Sequence, residues 1–205
     1  MTLPTNLGPY EAKNFDHLLG VTGFSETLLK NHFTLYQGYV TNTNKLRDIL
    51  TALVKEGKIA TPEFAELTRR FGWEFNGMRL HEIYFSNMTK NHHVLDHSSP
   101  LAKRIIATWG SIETWEKELR GICAMRGIGW AVLYYDIFTG KLSNCWINEH
   151  DVGHLTTCAP LLVVDVFEHA FMTDYGLKRA EYIEAMFKVI DYQEVERRYT
   201  MVGGK

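Results

Sequence analysis

The stretch "PLLVVDVFEHAFMTDYG", beginning at Pro160, constrains this chain more than any other. Its first half is a short apolar, β-branched run of the kind that fills a buried strand. Yet Asp165 lies inside it, with Glu168 and His169 close behind. An ionised carboxylate is expensive to bury unless another group compensates it. A fold that uses this strand must therefore bring something to Asp165 and His169. Their i,i+4 spacing puts both on one side of the chain by either the strand or the helix period, and turns Glu168 elsewhere.

Two candidates for that something lie far upstream. Residues 24–54 read as a long amphipathic helix, with Ser25 as N-cap and apolar or aromatic side chains at Leu28, Leu29, Tyr36, Tyr39, Val40 and Leu46. A second helix starts with Thr61 as cap and Pro62 at the first helical position, and should run to about Met88. Gly72 and Gly77 weaken its interior. His32 sits on the first helix and His81 on the second, both in apolar settings. Three imidazoles and one carboxylate form a nitrogen/oxygen set suited to iron, manganese or zinc. The alternative is that each is a core residue satisfied separately by a hydrogen bond. The denser cluster "NHHVLDHSS", with His92, His93, Asp96 and His97, lacks an apolar framework and reads as a solvated loop.

The second half mixes types. Two shorter helices are capped by Ser99 and Ser111, and "IGWAVLYYDIF", "TGK" and "LSNCWI" read as a β-hairpin. "PLLVVDVF" supplies a third strand, and residues 179–199 return to helix. Helices first, then a mixed α/β segment, give an α+β class with two subdomains sharing one interface, residues 1–90 and 91–205.

Bulk properties exclude some classes. A net charge of −2 leaves no footprint for nucleic acid or an anionic membrane surface. No apolar run approaches the ~20 residues of a membrane helix. The start, "MTLPTNLGPYEAKNF", lacks the pattern of a secretory leader. Cys123, Cys145 and Cys158 show no metal-type spacing, so reduced thiols and a cytoplasmic location are expected.

The residues also resemble a known family. "DVFEHAF" is similar to the Asp-Val-Trp-Glu-His-Ala-Tyr signature of iron/manganese superoxide dismutases, with Phe167 where that family has Trp. "YVTNTNKL", "FNGMRLHEIYF", "GIGWAVLYY" and "APLLVVDVFEHAF" follow in the family's order, and the resemblance runs from about Leu28 to Tyr199. It implies an N-terminal antiparallel helical hairpin and a C-terminal α/β domain with a three-stranded antiparallel sheet. It also implies one iron or manganese ion per chain, held by His32, His81, Asp165 and His169. Ungapped alignment would put Asn31 at the first ligand position. Seven residues from His32 to Tyr39 make about two regular helical turns, which favours His32 over an eight-residue spacing that needs a bulge.

The implied reaction is disproportionation of superoxide to dioxygen and hydrogen peroxide. Tyr39 would be the phenol beside the metal, and Trp130 part of its aromatic wall. Gly77 stands where the family can carry a polar donor to the solvent at the metal, and "NEHD" puts His150 at the alternative donor position. A homodimer is implied, with Glu168 reaching the second copy's His169. The family's second histidine, one turn after the first ligand, and its interface tyrosine are replaced by Leu35 or Tyr36 and by Met172. Arg179 stands at the entrance arginine position, a guide for the anion. The rival readings are a non-haem iron oxygenase, because two histidines and a carboxylate suit one, and a non-enzymatic metal-binding descendant of the fold.

Overall fold

A computed structural model describes residues 8–204; the first seven, part of the segment read for a leader, and Lys205 lie outside them. Helix α1 spans Glu26–Lys55 and α2 spans Pro62–Ser86. The Ser25 hydroxyl accepts from Leu28 N, and that of Thr61 from Phe64 N, so both expected caps satisfy an otherwise orphaned donor. The short link over residues 56–61 returns α2 antiparallel along α1. Helix α1 is α-helical throughout, with no bulge between His32 and Tyr39.

Helices α3 (Pro100–Trp109) and α4 (Ile112–Cys123) lead into strands β1 (Gly129–Asp136), β2 (Leu142–Asn148) and β3 (Cys158–Asp165). The sheet is antiparallel in the order β2-β1-β3, so β1 is central. Trp130, at the start of β1, stands opposite Asp165, the last residue of β3. Gly129 has φ 147°, and a Cβ there would lie 2.0 Å from the Ile147 carbonyl oxygen, so only glycine lets the strands meet at this end.

The chain then departs from the expected single helix over 179–199. A four-residue helix α5 (Met172–Tyr175) precedes α6 (Arg179–Phe187), and α7 (Tyr192–Met201) is separate. The break has a long-range cause. Thr89 N donates to the Val189 carbonyl, Asp191 N to that of Asn87, and Met88 bridges Ile190. Asp191 restarts the helix by accepting from Gln193 N and Glu194 N. One hydrophobic cluster runs from Leu28 and Phe33 of α1 through Tyr84 of α2 to Val164 of β3 and Tyr182 of α6. The fold is thus α+β, with a helical N-terminal region and a three-stranded antiparallel sheet in the C-terminal part.

Candidate metal centre

Four side chains from four elements converge where the helical pair meets the end of the sheet. His32 of α1, His81 of α2, Asp165 of β3 and His169 of the turn after β3 present ligand atoms that all lie within 4.8 Å of one another. Among the described residues no other histidine, cysteine and carboxylate group clusters in this way. The Nε2 atoms of His32, His81 and His169 stand 3.3, 3.7 and 3.1 Å from Asp165 Oδ2. His32, His81 and Asp165 are fully buried, whereas the His169 side chain keeps 27% of its surface open to solvent. Asn31, by contrast, is exposed on the other side of α1.

The chain holds these side chains in place by identifiable bonds. His81 Nδ1 donates to the Gly77 carbonyl at 2.6 Å, which fixes Nε2 as the free, deprotonated nitrogen. Asp165 Oδ1 accepts from Phe167 N at 2.9 Å, leaving Oδ2 for the cluster. The Tyr182 hydroxyl donates to the Asp165 carbonyl at 2.5 Å and lies 3.2 Å from that of Tyr84. Asp165 and His169 do meet, although neither a continuous strand nor a continuous helix joins them. The strand ends at Asp165, and a 3-10 turn over Glu168–Ala170 folds His169 back.

The donor set fits a metal ion. Four buried side-chain polar atoms among the described residues lack any hydrogen-bond partner, and three are His32 Nδ1, His32 Nε2 and His81 Nε2. Such atoms are costly to leave unmade, so their concentration here speaks for a group that accepts nitrogen lone pairs. Burial lowers His32 and His81 below the ordinary histidine range, against the pull of Asp165, so each is a neutral imidazole with one nitrogen lone pair to offer. Burial alone would raise Asp165, but His169 and His32 outweigh it and hold the carboxyl well below its usual range. Ligand atoms about 2.1 Å from one ion stand about 3.0 Å apart at a right angle and about 4.2 Å apart in line, which matches the spacings around Asp165 Oδ2.

Against this cluster lies an aromatic wall. Tyr39 stacks on His81 with centroids 5.1 Å apart, and the Trp130 ring meets His81 edge-on at 5.0 Å. Phe167 stacks on His169 at 5.0 Å and on His150 at 4.8 Å. His150 is fully buried, with Nε2 2.8 Å from the Tyr39 hydroxyl and Nδ1 3.1 Å from Trp130 Nε1. Gly77 makes the room: a Cβ there would stand 2.6 Å from Tyr39 Cδ1.

A family model described as "Iron/manganese superoxide dismutases, C-terminal domain" matches residues 97–198. A manganese superoxide dismutase of Haloferax volcanii is 33% identical over 174 residues, covering 85% of each chain. An iron superoxide dismutase of Aquifex pyrophilus is 33% identical over 200 residues, covering 94% of this chain and 93% of its own. The chain belongs to the iron/manganese superoxide dismutase family. Relatives named for manganese and for iron match it at equal identity, so likeness alone does not select the metal.

Within this superoxide dismutase homologue the other residues singled out in the sequence each have an identifiable place. The Arg179 guanidinium donates to the carbonyls of Met125 and Gly127, at 2.6 and 2.9 Å. Tyr36 is buried, and its hydroxyl donates to Glu82 at 3.1 Å, while Leu35 and Met172 are exposed. The "NHHVLDHSS" segment is a loop whose His92 Nδ1 donates to the Ile190 carbonyl at 3.0 Å. Sequence reading missed Trp73, whose ring meets His150 at 4.5 Å and Tyr39 at 5.5 Å. The signal was available: Trp73, Gly77 and His81 recur at four-residue steps on one face of α2.

Proposed function

We propose that this chain converts superoxide to dioxygen and hydrogen peroxide by cycling one iron or manganese ion held by His32, His81, Asp165 and His169. The observation that carries the reading is the convergence of three imidazole nitrogens and one carboxylate oxygen, with both ring nitrogens of His32 and Nε2 of His81 left without a hydrogen bond. Such an ion, when bound, supplies the reversible one-electron change that takes an electron from one superoxide and returns it to a second.

The chain's own residues supply charge balance, walls and protons. Three neutral imidazoles and a single carboxylate compensate only part of a cation's charge, so the site attracts an anion. His169 is the one member of the set that faces solvent, which puts the entrance on its side. Two protons are consumed for each peroxide formed, and the Tyr39–His150–Trp130 chain governs their delivery. Trp130 Nε1–H donates to His150 Nδ1, so a neutral imidazole carries its one proton on Nε2. That proton is given to the Tyr39 oxygen. The hydroxyl proton of Tyr39 is then free to point into the site. His150 has no second proton for the solvent at the metal, so in this reading Tyr39 is the donor and His150 orients it. The direct donation by His150 that the resemblance implied gives way to this arrangement.

The test joins metal analysis to kinetics. Protein purified without chelators should hold about one iron or manganese per chain and accelerate superoxide decay in stopped flow. Asp165→Ala and His169→Ala should lose most of the metal, whereas His92→Ala and His97→Ala should change little. Full metal retention in both ligand variants would overturn the assignment. Oxygen uptake dependent on an organic co-substrate would favour an oxygenase.

A further inference from the structure

The segment that presents His150 has little regular structure. Asn148 and Val152 make one isolated bridge, and Glu149 has φ 51°, in the left-handed region that glutamate seldom adopts. Beyond that bridge and a bond from Glu149 N to the Ile128 carbonyl at 3.3 Å, side chains hold it. From α2, Trp73 Nε1–H donates to the Glu149 carboxylate at 3.2 Å. From the sheet side the grip is His154, exposed to solvent yet engaged at both ring nitrogens. Its Nε2 lies 2.8 Å from the carbonyl oxygen of His150, and its Nδ1 lies 2.8 Å from the Tyr134 hydroxyl. A carbonyl only accepts, so Nε2 donates. Burial raises Tyr134 above the ordinary tyrosine range, so its hydroxyl keeps its proton and donates to Nδ1.

Tyr134 and Trp130 belong to the same central strand, β1. One rigid element thus holds the ring of His150 directly through Trp130, and its backbone through Tyr134 and His154. We propose that His154 is a positioning residue: it fixes the His150 main chain so that the imidazole can hold Trp130 and Tyr39 at once. A histidine in this role bridges a carbonyl to a phenol where no neighbouring strand is available to do so. The kinetic consequence rests on the dismutase reading above; the geometric one does not.

The test uses the metal-loaded full chain and two variants. His154→Ala touches no proposed ligand, so its metal content should match the parent. Its crystal structure should show the His150 ring displaced from the 2.8 Å contact with Tyr39. Superoxide decay per bound metal should fall roughly three- to tenfold, the range spanned by one net hydrogen bond. His154→Gln can donate its amide N–H to the carbonyl and accept from Tyr134, and should recover both ring position and rate. Should His154→Ala fail to fold, Tyr134→Phe removes only the bond to Nδ1 and carries the same test with a smaller loss. An unmoved His150 with the parent rate in His154→Ala overturns the proposal. So does a His154→Gln variant as impaired as His154→Ala, because hydrogen bonding would then not be the cause. A fully loaded parent that does not accelerate superoxide decay defeats the dismutase reading, while the crystal structures still decide the positioning.

Discussion

In the proposed reaction His150 orients the Tyr39 hydroxyl, and its environment sets its behaviour with pH. Burial pushes it down to about 4, so it stays neutral across neutral pH. The sequence alone suggests a group that changes charge near neutrality and a pH profile that glutamine would flatten; burial removes that expectation. His150→Gln should keep the parent's pH-rate shape between about 6 and 9, since neither side chain titrates there. A profile that flattens in stopped flow would show that His150 ionises after all. His150→Ala should keep its metal and lose roughly tenfold or more in rate, because a misplaced donor is costly even at small displacement. Gly77 offers a second test. Alanine there would gain about 1 kcal/mol of helix propensity, but its Cβ would stand 2.6 Å from the Tyr39 ring. Overpacking of that kind costs about 1–3 kcal/mol, and Tyr39 is boxed in by Trp73, His81 and His150. Gly77→Ala should therefore not raise the melting temperature, and should lower turnover at full metal content. Asp165 was legible because burying a carboxylate is costly, His169 because its i,i+4 spacing turns it to the same side, and His32 because a regular helix returns it to the face of Tyr39. Trp73 was not, since an aromatic residue on an amphipathic helix looks the same whether it packs a core or backs a site.

At the scale of elements, the separation of α1 from α2 sets the distance between His32 and His81. The Tyr36–Glu82 bond crosses between them one helical turn beyond His32 and one residue beyond His81. Arg79 and Lys13 complete the neutralisation of Glu82, at 2.7 and 3.2 Å. Burial pushes Tyr36 up to about 12, so its hydroxyl remains a donor over the whole working range of pH. Tyr36→Phe leaves the buried Glu82 short of one partner and should destabilise the protein by about 1–3 kcal/mol, read by denaturant unfolding with and without metal. An unchanged midpoint in both states would mean that Arg79 and Lys13 satisfy Glu82 alone. The hairpin α1–α2 and the sheet were legible from caps, period and turn chemistry. The break between α6 and α7 was not, because its cause is a bridge to Met88, far away in sequence. Local pattern reads as one helix wherever a distant strand-like contact interrupts it.

For the whole molecule, assembly and acid stability give the remaining expectations. Glu168 is exposed next to His169, beside an open groove lined by Arg126, Met172 and Arg179. If it bridges to His169 of a second copy about a two-fold axis, Glu168→Ala should weaken a dimer and alter metal retention together; sedimentation showing an unchanged dimer with intact metal would exclude this. Acid stability follows from burial. His32, His81 and His150 all have folded-state values below the ordinary histidine range, each chiefly through burial. As pH falls below about 6.5 the unfolded chain takes up protons that the folded chain refuses, so stability is lost on acidification. Each such group contributes about 1.4 kcal/mol per pH unit while only its unfolded form titrates. For His150 that window runs from about 6.5 to about 4, an effect of about 3 kcal/mol at its lower end. Asp165, held below the carboxylate range, adds a further loss with the same sign below about 4. Bound metal opposes the proton at the same nitrogens and stabilises only the folded chain. Chelated protein should therefore unfold at a distinctly higher pH than loaded protein, and His150→Gln should make the chelated protein's loss between pH 6.5 and 4 shallower by up to about 1.4 kcal/mol per unit. Urea midpoints followed against pH, with and without chelator, measure both; coincident curves for loaded and chelated protein would mean that His32 and His81 hold no metal.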